Sequence, residues 1–282
     1  HPNRNRSFII ANGMIQAGEQ LQVINGSEIT RKMAPGHINA VFIKDGNKLL
    51  HADSLSGIKE ANKQGSFVFW NHPNWDSQRK DGIARLDPFH EFLIEKRLLH
   101  GIEVVNEDTY SDEALKIALE NNLTILGTSD IHGLTNWKYE ISKGGHRPIT
   151  FVKVESKTPE SLKKALFEGK TVIWFKDLLV GKEENLRALI SENITINNLK
   201  YPEDKTIANI EITNHGAAPI QLEYLGKYTF HKRPTFFSIP ANSTIVLNVK
   251  TVVKKNEIRL PFRVLNAIVA PKEYLELSFI AK

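Results

Sequence analysis

Five side chains in this 282-residue chain combine a metal-ligand type with a suggestive placement: Glu28, His37, His72, Asp130 and His132. Neutral imidazole nitrogens and carboxylate oxygens suit Zn, Mn, Fe or Mg, and with no cysteine in the chain, thiolate sites and disulfides are excluded. Asp130-x-His132 is the strongest local signal. After an apolar strand, residues at i and i+2 point the same way and offer one carboxylate oxygen and one imidazole nitrogen. A carboxylate such as Glu28 can bridge two cations about 3.5–4 Å apart, which suits activation of water and stabilisation of phosphoryl oxygens. Each residue also has a plainer reading. Asp-x-His makes turns and caps, Asn71-His72-Pro73 reads as a strand exit, Glu28 as a capping or surface carboxylate, and His37 as part of the loop after Pro35-Gly36. Asn71, Trp75 and Asp76 border His72 and are candidates to line a pocket. Arg147 could meet a phosphate or form a surface ion pair.

The elements that must position these residues alternate through residues 1–188. A helix is expected over 7–20, with Phe8, Ile9, Ala11, Ile15 and Ala17 as its apolar residues and Gly13 as its weak point. Strands are expected at Gln22–Asn25, Ile38–Ile43, Phe67–Trp70, Ile102–Val105, Thr124–Leu126, Ile149–Val154 and Thr171–Phe175. Between them, helices are expected at 55–64 behind an Asp53/Ser54 cap, at 88–100 with Pro88 early, at 112–121, and after Thr158-Pro159. Strands apolar on both faces and separated by helices argue for a parallel sheet covered by helices, either an open layer or a barrel. Carboxyl ends of parallel strands converge on one mouth, so Glu28, His72, Asp130 and His132 would meet there across about a hundred residues of sequence. His37 precedes its strand and is the exception. His51, His90, His100 and His146 lack this placement and read as structural or solvent-facing.

Near residue 190 the period changes to that of short strands separated by turns such as Asn214-His215-Gly216 and Pro240-Ala241-Asn242. Residues 189–282 read as a small all-β sandwich of about seven strands, immunoglobulin-like. It shows no catalytic constellation, and His215 and His231 read as surface residues. The formal charge of +5 is mild, and the basic residues form no stripe interleaved with aromatics, which disfavours nucleic acid. No apolar run reaches the length of a membrane span.

Taken together, several segments resemble the PHP (polymerase and histidinol phosphatase) superfamily, in particular its bacterial phosphodiesterase-like proteins with a C-terminal β domain. They are Gly26-Ser27-Glu28-Ile29-Thr30, Gly36-His37-Ile38-Asn39-Ala40, Phe69-Trp70-Asn71-His72-Pro73, Gly101-Ile102-Glu103-Val104-Val105-Asn106 and Gly127-Thr128-Ser129-Asp130-Ile131-His132-Gly133. The resemblance spans about residues 1–178. It implies a distorted (β/α)7 TIM-like barrel with two or three divalent ions at its mouth. Glu28 would be the bridging carboxylate, His37 and His72 imidazole ligands, and Asp130 and His132 the last motif's ligands. The implied reaction is hydrolysis of a phosphate ester by metal-activated water, on a small phosphorylated molecule.

The family's opening His-x-His and second-strand motif have no counterpart here, and His1 does not replace them. The expectation is therefore an incomplete barrel holding fewer ions or none, with reduced activity and an exposed edge that favours homo-oligomers. Cytoplasmic or periplasmic placement turns on what precedes His1. Two other readings stand beside it: an amidohydrolase-like C–N hydrolase, whose bridging Lys is not evident, and a catalytically impaired barrel carrying a binding sandwich.

Overall fold

A computed structural model describes residues 7–16, 18, 20–30, 33–203 and 205–282, in two compact units, residues 1–173 and 174–282. The first unit opens with α1 (Ser7–Gly13), β1 (Gly26–Ile29) and β2 (His37–Val41), followed by α2 (Ser54–Lys63) and β3 (Phe67–Asn71). Next come α3 (Pro88–Glu95), β4 (Gly101–Asn106), β5 (Thr109–Tyr110), α4 (Asp112–Glu120) and β6 (Thr124–Thr128). It closes with α5 (Thr135–Lys138), β7 (Ile149–Val152), α6 (Pro159–Phe167) and β8 (Thr171–Phe175), whose last residues enter the second unit.

Local chemistry explains the helix starts. Asp53 accepts from the Ser56 amide at the head of α2, and Thr158 caps α6 with Pro159 in its first turn. Two helices are shorter than their apolar periodicity suggests. α1 stops at Gly13 and buries nothing, while Ala17 and His1 lie outside the described residues. α3 stops at Glu95, and Arg97 just beyond takes a left-handed backbone (φ 53°).

The sheet is mixed, which corrects the all-parallel expectation. β3, β4 and β6 run parallel, but β1 pairs antiparallel with β2, and β2 with β3. The link between β1 and β2, residues 30–36, is too short for the crossover of a dozen or more residues that parallel strands need. The first strand also sits later than expected, at 26–29 and not 22–25, so Glu28 lies within a strand and not past its end.

Every residue of β3 is buried, and Trp70, its fourth residue, organises what surrounds it. Its indole stacks on His90 of α3 at 3.8 Å between ring centroids and donates through Nε1 to the Pro35 carbonyl at 3.1 Å. His90 is only 1 % exposed, and burial pushes its imidazole pKa down to about 4, with Arg79 acting in the same direction. The folded state therefore holds His90 neutral while the unfolded chain takes up a proton below about pH 6.5. Stability from this group is full above pH 6.5 and is lost as pH falls toward 4, by about 3 kcal/mol. Urea midpoints at pH 7.5 and 4.5 should diverge less for His90→Phe, which keeps the stack without the titration. An identical pH slope in the two proteins would remove His90 from this account.

The second unit contains β9 (Leu178–Gly181), α7 (Glu183–Asn193) and eight further strands. These are β10 (Ile194–Lys200), β11 (Ile207–Asn214), β12 (Ile220–Tyr224), β13 (Thr229–Phe230), β14 (Phe236–Ile239), β15 (Ser243–Lys250), β16 (Ile258–Ala270) and β17 (Glu273–Ala281). One sheet runs β10-β11-β15-β13, and the other includes β14-β12-β16-β17, with β9 parallel to β16. Alternate residues of β11 and β17 are buried, the period-2 pattern of strands with one face in a core. That core is aromatic, with Phe262 in ring contact with Tyr224, Phe237 and Phe279.

Candidate metal centre

The mixed sheet places the three upstream candidates together more simply than strand ends alone would. Because β2 runs antiparallel to β3, its first residue lies beside the last of β3, with His37 opposite Asn71. His72 follows directly. Glu28 faces Asn39 one strand over and reaches back toward both imidazoles. The Nδ1–H of His37 donates to Glu28 Oε1 at 2.7 Å, and His72 Nε2 lies 3.7 Å from the same oxygen. One ligand atom from each of the three lies within 4.8 Å of the others. His37, the exception in the strand-end argument, thus belongs to the cluster because its strand is reversed.

The loop before His37 is seated by its neighbours. Gly36 has φ 88° and lies against Trp70, and its amide donates to Gln78 Oε1 at 2.5 Å. Trp75 is held by a turn, its amide donating to the His72 carbonyl at 3.1 Å, and its indole meets His72 and His37 edgewise at 5.1 and 5.9 Å. Asp76 is exposed.

Electrostatics within the cluster are strong. Hydrogen bonds from His37 and then His72 hold the Glu28 carboxyl far below the usual carboxylate range, so it is ionised at any neutral pH. Burial works against a charge on His72, but Glu28, Glu103 and Asp130 together raise its pKa. Asp130 is therefore near enough to act on His72 although it is not one of the three clustered donors. His132 is exposed, and its Nδ1–H donates to the Asp130 carbonyl at 2.8 Å. That bond fixes the tautomer and leaves Nε2 with a free lone pair, the form a metal ligand takes.

Of the two substrate-contact candidates, Asn71 is buried and its amide points at Glu28 Oε1 at 3.4 Å. Arg147 is exposed, and its charge acts on Tyr139, whose hydroxyl donates to the Ser129 carbonyl at 3.3 Å.

Whether these residues suit a cation can be tested on the orphaned atoms. His72 is 7 % exposed, yet its Nδ1 has no hydrogen-bond partner among the described residues, and neither has Asn71 Oδ1. Buried polar atoms left unpaired are costly. Tetrahedral ligands at ordinary Zn–N and Zn–O lengths stand about 3.4 Å apart. The His72–Glu28 separation of 3.7 Å is close to this, whereas the shorter His37–Glu28 contact is a proton held where a cation would compete for it. The donor set of one carboxylate and two imidazoles fits a borderline or hard divalent ion.

Glu103 was not among the candidates from sequence. It lies inside the apolar strand β4 and is 2 % exposed, and burial pushes its carboxyl up to about 7 against the pull of its hydrogen bonds. A single charge within Gly101-Ile102-Glu103-Val104-Val105 was the available signal, since glutamate is almost never fully buried without partners.

A solved structure from Bacteroides vulgatus, a two-domain protein containing a predicted PHP-like metal-dependent phosphoesterase, is 33 % identical, with a TM-score of 0.88 over 98 % of this chain and 80 % of that one. A family model described as an Ig-like domain matches residues 194–280. No curated protein matches the chain. With that identity along nearly its whole length, the chain belongs to the PHP superfamily as a two-domain member bearing an Ig-like domain.

Proposed function

We propose that the first unit is a metal-dependent phosphoesterase that hydrolyses the ester of a small phosphorylated molecule. The observation that carries this is the Glu28–His37–His72 cluster, in which nitrogens of two imidazoles face one oxygen of an ionised carboxylate at 2.7 and 3.7 Å. Bound divalent ions would supply Lewis acidity toward the phosphoryl oxygens and the attacking water. Glu28 contributes fixed negative charge between two imidazoles, and Asp130 and His132 extend the donor set from β6. On this reading β3, β4 and β6 and their helices form part of the distorted barrel, with the centre at its mouth. Two or three ions drawn from Zn, Mn, Fe and Mg remain the proposed complement. Among the described residues, no comparable group of donors gathers in the second unit, whose proposed role is support or binding.

The test uses p-nitrophenyl phosphate and bis-p-nitrophenyl phosphate with Mn or Zn, before and after chelation, together with elemental analysis. Asp130→Ala is expected to lower both bound metal and turnover at least tenfold, within the range found for losing one metal-site partner. Absence of any cation-dependent hydrolysis by the wild-type chain would sink the enzyme reading. A second reading, an impaired barrel that binds without turning over, draws on the position of Asp130 and His132 outside the three-donor cluster. It predicts metal binding with no release of nitrophenol.

A further inference from the structure

We propose that Glu103 is a positioning residue that clamps the two ligand-bearing turns of the centre, a role that rests on the metal reading above. Its Oε2 accepts from the backbone amide of His72 at 2.8 Å and from Asn106 Nδ2 at 2.9 Å, and its Oε1 accepts from Thr128 Oγ1 at 2.7 Å. The carboxylate thus ties the exit of β3 to the exit of β6 from the strand between them, pairing parallel with both. One turn carries His72 and the other, two residues past Thr128, carries Asp130.

Both turns need holding. His72 and Asp130 take left-handed backbones, with φ of 34° and 41°. Such residues are strained and persist only where surrounding structure over-determines them. The hydrogen bond to the His72 amide acts on the strained residue itself, and the bond to Thr128 acts at the base of the other turn. Three donors and no acceptor face the carboxylate in this arrangement. Neutral apolar residues at position 103 would leave the His72 amide unpaired in a buried site.

The test compares wild type, Glu103→Ala, Glu103→Gln and Thr128→Val by calorimetric titration with Mn or Zn alone. Melting of the chelated proteins and amide exchange at His72 complete the set. Glu103→Ala is expected to lower cation affinity 10- to 100-fold and to speed His72 amide exchange. Glu103→Gln should recover most of the affinity, because the amide oxygen still accepts from His72 and the Thr128 hydroxyl can turn to accept from the amide nitrogen. Thr128→Val, which keeps shape and leaves Glu103 in place, should lose about tenfold with little change in the melting temperature of the chelated protein. Its loss should not add to that of Glu103→Ala, since both cut one clamp. Wild-type affinity in Thr128→Val and in a folded Glu103→Ala would overturn the clamp while leaving the metal centre intact. If the wild-type chain binds no cation, the metal reading fails and the clamp's role falls with it.

Discussion

Gly36→Ala is expected to destabilise the first unit by about 3 kcal/mol or more, combining a left-handed alanine with overpacking. A Cβ at this position would lie 1.9 Å from Trp70 Nε1 and 2.9 Å from the Asn71 carbonyl oxygen. Neither neighbour can retreat. Trp70 is fully buried and stacked on His90, and Asn71 is backbone-paired with His37. The φ of 88° adds strain that alanine would carry even in open space. A melting temperature lower by roughly 6–12 °C should follow for a unit of this size. The chemical consequence is as large, because Gly36 precedes His37 directly and any relief must move the peptide that aims the imidazole at Glu28. Cation binding should therefore fall in whatever fraction remains folded. A variant that melts with wild type would show that the loop has slack the packing does not suggest.

Glu28→Gln is expected to lower divalent cation affinity by two orders of magnitude or more while leaving the chelated fold nearly unchanged. The isosteric amide keeps the side chain's volume and its hydrogen bond from His37, but it replaces an ionised ligand with a neutral carbonyl oxygen. Since His37 and His72 hold the Glu28 carboxyl so far below its ordinary range, the full negative charge is present at every pH where the protein would be assayed. Glu28 remains a third exposed, so its contact with His37 adds only about 0–1 kcal/mol to folding. The large effect on binding and the small one on stability thus separate cleanly. Titration calorimetry also tests the sign with pH. His72 binds its proton more readily than a free imidazole, and a cation must displace it, so affinity should rise with pH through the imidazole range. Binding by Glu28→Gln within twofold of wild type would exclude Glu28 as a ligand.

Much of this was legible before the structure. The Asp53 and Thr158 caps, the apolar run Phe67–Trp70 and period-2 strands such as 207–214 and 273–281 read directly, because each is decided by neighbours in sequence. What did not read was pairing. Gly26-Ser27-Glu28-Ile29 has poor strand propensity and becomes a strand because β2 lies beside it, so the expected strand was placed four residues early. Strand direction was equally invisible, and it decided why His37 joins the cluster. β9 and α7 were missed because their short amphipathic patterns compete with the turn-rich sequence around Gly181. For the centre, Glu28 and His72 were legible as metal-ligand types beside apolar strands and His37 only through the family resemblance, whereas Glu103 lies in a strand's interior.

The left-handed backbones of His72 and Asp130 also bear on stability. Glycine or asparagine at either turn would adopt the same conformation at lower cost, so His72→Gly or Asp130→Gly should not lower the melting temperature through the backbone. These two strained non-glycine residues stand at the exits of parallel strands, the first tied to the Glu103 carboxylate through its own amide and the second through Thr128 two residues earlier. On the metal reading, the two turns forgo stability for the donor atoms they carry.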